Sequence, residues 1–273
     1  MQIKKKINLI ALSAVRYAQC ALLYALFMVV LPHRELNAQS DAKKFLEVGG
    51  DIFTSPKDFN SNDWINLAGT TVITTAGFYF DEEMRKFSQE NKTDFLNTLF
   101  SIDDYYNLST IAVADVAIWG YGAAANDDKT KDLGLKLTEA TVYSTIINQF
   151  IKILTSRSRP FLNMGNLDFS PIQLGYDQTA FPSGHSTSTF AFSKVMADEI
   201  DNIYWKIGWF TASALVALAR IYNDQHWFSD VILGAAIGYF VGEFVSNHST
   251  NKKKDSVNTG SMSKFKINFS IAF

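Results

Sequence analysis

Cysteine is nearly absent: the single Cys20 forbids an intramolecular disulfide and any metal site built from several cysteines. Five Pro and 15 Gly in 273 residues are too few for a collagen-like or low-complexity chain. Charge is sparse as well. Only 19% of residues are charged while 47% are hydrophobic, which excludes a disordered or linker-dominated protein. A basic surplus is missing, with 25 Lys+Arg against 27 Asp+Glu, so no nucleic-acid partner is expected. Long unbroken apolar runs are missing too: beyond residue 62 none reaches the roughly 18 residues that mark a bilayer-spanning helix. Mean hydropathy is zero, high for a soluble protein and low for one wholly embedded in a membrane.

The first segment has the pattern of an export signal. Lys4, Lys5 and Lys6 precede a mostly apolar stretch over 7–31, whose cleanest part, 21–31, is too short to cross a bilayer alone. Residues 1–39 are read as a signal peptide or an N-terminal anchor, and either reading exports the chain. Setting residues 1–38 aside leaves 20 basic against 26 acidic side chains, a net charge of −6. The basic charge therefore belongs to the leader.

Residues 40–62 are polar and read as an exposed lead-in, helical at 42–48. A helical domain is expected over 63–247, because six apolar stretches follow at 64–80, 105–125, 133–155, 186–200, 203–221 and 227–246. Most are too long for strands. In 133–155, Leu137, Ala140, Ser144, Ile147, Ile151 and Leu154 recur at three- and four-residue spacing, with Lys136, Glu139 and Asn148 opposite, as in a bundle helix. Residues 248–273 form a polar tail whose last ten residues alternate Phe265, Ile267, Phe269, Ile271 and Phe273 with smaller or polar ones, a strand signal. The expected fold is all-α: a bundle of about six apolar helices with a short C-terminal strand. Each stretch also carries a polar or ionisable residue, so the bundle is either soluble or shallowly embedded in a membrane.

Three clusters carry chemistry. In the first, Lys152 and Arg159 stand seven apart, two helical turns, and Pro160 marks a stop. Cations gathered at a helix end hold a multiply charged oxyanion, or merely complement the helix dipole. The second is Pro182-Ser183-Gly184-His185 at the start of a helix, where free backbone N–H groups bind an anion and His185 stands ready to donate a proton; a plain N-cap fits as well. In the third, Arg220 ends one apolar stretch while His226 and Asp230 sit four apart at the start of the next. At that spacing Asp230 holds one imidazole nitrogen and the other is presented as a nucleophile, unless the pair is only a surface contact. His33 and His248 lie in no such cluster. Coincidence at all three places is improbable.

Together these clusters resemble the signature of the phosphatidic acid phosphatase type 2 / vanadium haloperoxidase superfamily. The first reads Lys152 to Arg159-Pro160, the second Pro182-Ser183-Gly184-His185, the third Ala219-Arg220, His226 and Asp230. Ala219 stands where the signature has Ser, the one departure. The resemblance implies a helical bundle with no cofactor and, in phosphatase members, no metal. It implies that Lys152, Arg159, Ser183, the Gly184 backbone and Arg220 cradle the phosphoryl oxygens. His226 would form a phosphohistidine with Asp230 orienting it, and His185 would protonate the leaving group. The expected activity is an exported phosphatase of the cell envelope, membrane-associated or periplasmic, its site on the non-cytoplasmic side. Its substrate would be a phosphorylated lipid (phosphatidate, phosphatidylglycerol phosphate, polyprenyl diphosphate or lipid A type) or a small phosphate ester. A soluble broad-specificity acid phosphatase, a vanadate-dependent haloperoxidase and a non-catalytic scaffold are the alternatives.

Overall fold

The computed structural model of the protein describes residues 35–255 except 174. Residues 1–34 of the signal or anchor expected over 1–39 and the strand expected at 264–273 lie outside those residues, while 35–39 open the first described helix. Helices build most of what is described: α1 (Glu35–Thr54), α2 (Ser61–Glu90), short α3 (Asp94–Leu99) and α4 (Ile102–Tyr105), α5 (Leu108–Ala125), α6 (Asp128–Thr155), α7 (Gly184–Glu199), α8 (Ile203–Tyr222) and α9 (Phe228–Asp255), with a largely irregular segment between α6 and α7. The all-α fold and the six expected apolar helices are present, as α2 and α5–α9.

Local chemistry sets the boundaries. Asn60 opens α2 with a reciprocal cap, its Oδ1 accepting from the N–H of Asn62 and Asp63 while Asp63 accepts from its own N–H. Helix α2 continues ten residues past the apolar stretch expected to end at 80, because 81–90 consists largely of good helix formers. Asn107 caps α5 in the same reciprocal way and divides the stretch 105–125 from α4. Asn126 in the left-handed region (φ 55°) and the capping side chain of Asp127 turn the chain between α5 and α6, forcing an antiparallel pair.

Glycines bring the helices close. A Cβ on Gly122 or Gly134 would lie 2.3 Å from the Lys131 N or 2.2 Å from the Trp119 N, so α5 and α6 touch backbone to backbone. On α9, Gly234, Gly238 and Gly242 form a stripe against α7, facing the carbonyl oxygens of Ser183, Thr187 and Ala191. Apolar side chains of α1, α5, α6, α7 and α9, among them Val48, Ile111, Leu137, Val195 and Val245, form the core.

Two expectations need correction. Residues 40–62 are not simply an exposed lead-in, because Val48 and Ile52 on α1 are buried in that core and Tyr143 on α6 donates to the Phe45 carbonyl. Nor does α6 divide wholly as its spacing suggested: Leu137, Ala140 and Ser144 are buried as expected, but so are Glu139 and Asn148, while Leu154 is half exposed. Lys152 is buried as well, and Ile146, Phe150 and Ile153 face outward. The buried face of this helix mixes apolar side chains with polar ones that run toward the site, and apolar side chains stand on its outer face.

Candidate active site

The C-terminal ends of α6 and α8 and the N-terminal ends of α7 and α9 meet at one end of the bundle. Helix α6 stops at Thr155 because Ser156 turns left-handed (φ 43°) and gives its N–H to the Lys152 carbonyl at 2.8 Å. Arg159 is therefore not two turns along the same helix, as its spacing suggested, but in extended chain before Pro160. The two cations meet because the chain doubles back. Lys152 Nζ donates to the Thr179 carbonyl at 2.5 Å, and Arg159 Nε to the Tyr176 carbonyl at 3.0 Å, both on one short segment. Tyr176 also lies under the Arg159 guanidinium, 4.1 Å from its ring centre.

Ser183 is the N-cap of α7, its Oγ accepting from the N–H and the hydroxyl of Ser186. Asn148 on α6 ties down the start of α7 by donating to Thr187 Oγ1 at 2.8 Å. A Cβ on Gly184 would lie 3.8 Å from Lys152 Cε, which places the first N–H groups of α7 beside that lysine. The Ser183 N–H donates to the Asp230 carbonyl at 2.9 Å and links the second cluster to the third.

The turn between α8 and α9 carries His226. Its N–H and that of Gln225 both donate to the Arg220 carbonyl, a tight return at the end of α8. His226 Nδ1 is 3.4 Å from Asp230 Oδ2, and Nε2 is 3.4 Å from Arg159 Nη1. Both contacts are long, as is common before substrate tightens a site. Arg220 donates through Nη1 to Asp103 Oδ2 at 2.7 Å, while its buried Nε has no hydrogen-bond partner. His185, in the first turn of α7, is partly exposed and close enough for its charge to act on His226. All eight residues singled out in the sequence thus come to this end of the bundle.

Burial, together with the charges of Arg159, Lys152, Arg220 and His185, pushes the His226 pKa well below its ordinary value. The imidazole is therefore neutral at neutral pH, and the tautomer that gives Nδ1–H to Asp230 leaves a lone pair on Nε2. Three cations and a helix N-terminus around one neutral imidazole suit a multiply charged phosphoryl group. Because the shift is downward, His226 is expected to stay unprotonated as pH falls through about 6.5, the usual histidine range. Histidine-selective 15N NMR checks this; protonation of His226 at or above that pH would contradict the assigned surroundings.

Several residues at the site carry no signal in the linear pattern. Arg157 looks like a third cation of the first cluster, yet it points away from Lys152 into a buried cage of Phe78, Phe169, Phe181 and Trp227. Asp103 and Asn148 are also unmarked. The one legible hint was periodic: Asp81, Arg85 and Gln89 recur every four residues on α2.

Residues 133–254, which include all three clusters, match the PAP2 superfamily. A lipid A 1-phosphatase of Porphyromonas gingivalis is 32% identical over 85 residues, 30% of this chain and 19% of that protein. A lipid A 4'-phosphatase of the same organism is 28% identical over 115 residues, 41% of this chain and 49% of that protein. The matched regions thus span at most about half the length of these relatives. In fold, the chain is similar to the first transmembrane PAP2 type phosphatidylglycerolphosphate phosphatase from Bacillus subtilis, with TM-score 0.52 and 21% identity, covering 78% of this chain and 96% of that one.

Proposed function

We propose that this chain is a PAP2-superfamily enzyme, a reading supported by the match over residues 133–254, and that it is a metal-independent phosphatase acting on phosphorylated lipids through a phosphohistidine. The observation that carries the proposal is the convergence of Lys152, Arg159, Arg220 and the α7 N-terminus on the His226–Asp230 pair. Nε2 of His226 attacks phosphorus as the bond to the leaving oxygen breaks, and His185 gives that oxygen its proton. His185 then takes a proton from water, whose oxygen attacks phosphorus and releases His226 with inorganic phosphate. The cations and backbone N–H groups, with Ser183, offset the negative charge on the phosphoryl oxygens throughout.

Two features support a lipid substrate. The outward face of α6 carries Ile146, Phe150, Ile153 and Leu154, and among the described residues the helices Leu108–Ala125 and Phe228–His248 are long and apolar enough to cross a membrane. The P. gingivalis relatives named for lipid A phosphates put that class first. We further propose that the protein works at the cell envelope, on the non-cytoplasmic side.

A substrate panel on purified protein with chelator present tests the reading. Hydrolysis of detergent-dispersed lipid A phosphates, phosphatidate and phosphatidylglycerol phosphate is expected to exceed that of a soluble aryl phosphate by about tenfold or more in kcat/KM, roughly 1.4 kcal/mol of differential transition-state binding. Equal hydrolysis of the soluble ester would overturn the lipid preference, and a need for divalent metal would overturn the mechanism. Bromide oxidation by peroxide and vanadate, with no phosphate release, would assign the site to haloperoxidation instead.

A further inference from the structure

The His226–Asp230 pair is bracketed by a helix that contributes nothing to the phosphate cradle. Asp81, Arg85 and Gln89 lie one turn apart on α2 and reach the segment 222–229 at successive points. Gln89 Nε2 donates to the Tyr222 carbonyl at 3.1 Å. Arg85 grips Asp224 with a two-pronged contact, Nε to Oδ1 at 2.7 Å and Nη2 to Oδ2 at 2.9 Å. Asp224 is the left-handed residue (φ 56°) of the turn that presents His226. Asp81 accepts from the N–H and the hydroxyl of Ser229, each at 2.8 Å.

Asp81 also acts through Arg157. The Arg157 Nη2 donates to Asp81 Oδ2 at 2.5 Å, and Nη1 to Asp230 Oδ1 at 2.6 Å and Ser229 Oγ at 2.7 Å. All four side chains are fully buried, and Phe78 and Trp227 flank the guanidinium at 4.5 and 5.4 Å. The Arg157 guanidinium lies between the two carboxylates. It also fixes the rotation of the Asp230 carboxylate, whose other oxygen accepts from the Trp227 N–H at 2.8 Å and faces His226.

We propose that α2 braces the reacting pair, with Asp81 and Arg157 setting the Asp230 carboxylate and Arg85 setting the turn that carries His226. The inference rests on the phosphohistidine reading above. These three are positioning residues: none is placed in the phosphate cradle, so their loss falls on turnover and not on binding. A displacement of about 1 Å at a nucleophile costs up to roughly a hundredfold in rate.

The test uses the full chain with Asp81→Asn, Arg157→Lys and Arg85→Gln, with inorganic phosphate as the probe of the cradle. Expected are a fall in kcat per folded molecule of about 10- to 100-fold for the two buried positions and about 3- to 10-fold for Arg85→Gln. Inhibition by phosphate is expected to stay within about twofold, and Arg85→Lys to recover part of the loss. Arg85 is partly exposed, so its variants remain informative if the buried ones fail to fold. A merely structural role predicts less folded protein with unchanged kcat per folded molecule, and that result would overturn the brace. The two failures are distinguishable: a His226→Ala chain that still turns over sinks the phosphohistidine reading. A dead His226→Ala beside unimpaired α2 variants sinks the brace alone.

Discussion

Replacing His226 with alanine is expected to abolish phosphate release, by about 10⁴-fold or more in kcat, while inorganic phosphate still binds within a few-fold of the parent affinity. The split follows from the geometry. Lys152, Arg159, Arg220 and the α7 N-terminus are held by partners other than the imidazole: the carbonyls of Thr179 and Tyr176, Asp103, and Asn148 through Thr187. Removing the ring therefore spares the cradle and deletes only the atom that attacks phosphorus. Asp230 is not left as an uncompensated charge either, since Arg157 and the Trp227 N–H still hold it. Circular dichroism and direct phosphate binding by calorimetry would show an intact, occupied site. Turnover within tenfold of the parent would mean that another group is the nucleophile.

A large effect on folding is expected at Gly238. A Cβ there would sit 2.2 Å from the Thr187 carbonyl oxygen and 2.8 Å from the Ala191 N, both backbone atoms of α7 that cannot swing aside. Gly238→Ala therefore has to push α9 off α7 along the stripe that Gly234 and Gly242 continue. A cost of about 4 kcal/mol or more is expected, a large share of the 5–15 kcal/mol that typically holds a domain folded. Gly69→Ala on α2 is the control, because nothing lies within 4 Å of its added methyl. There the better helix propensity of alanine is expected to stabilise by up to about 1 kcal/mol. Thermal unfolding of the two purified variants checks the contrast, and equal midpoints would refute the backbone contact. Any Gly238 variant that folds is also expected to lose activity, since moving α7 from α9 stretches the Ser183–Asp230 hydrogen bond that joins two parts of the site.

Much of this molecule could be read without coordinates. Apolar stretches separated by capping residues such as Asn60, Asn107, Asn202 and Ser183 determined helices, because hydrophobic spacing and caps act within a few residues of chain. The three clusters determined which side chains to look for, since the chemistry of an oxyanion site restricts residue type and the short spacings within each cluster are local. Arg159 shows the limit even there: the right residue was chosen, but for a helical geometry that Ser156 ends first.

What only the tertiary structure decided lies at long range. The pairing of Arg157 with Asp81, 76 positions earlier, and of Arg220 with Asp103, 117 positions earlier, depends on which helices pack together. No local pattern encodes that. The same holds for α6, where Glu139 and Asn148 were assigned to the face opposite the apolar stripe and are in fact interior. The sequence by itself determined the helices and the reactive groups, because propensity, capping and functional-group chemistry are local properties. The tertiary structure decided which faces are inside and which charges meet, because burial and ion pairing arise only when distant segments share one space.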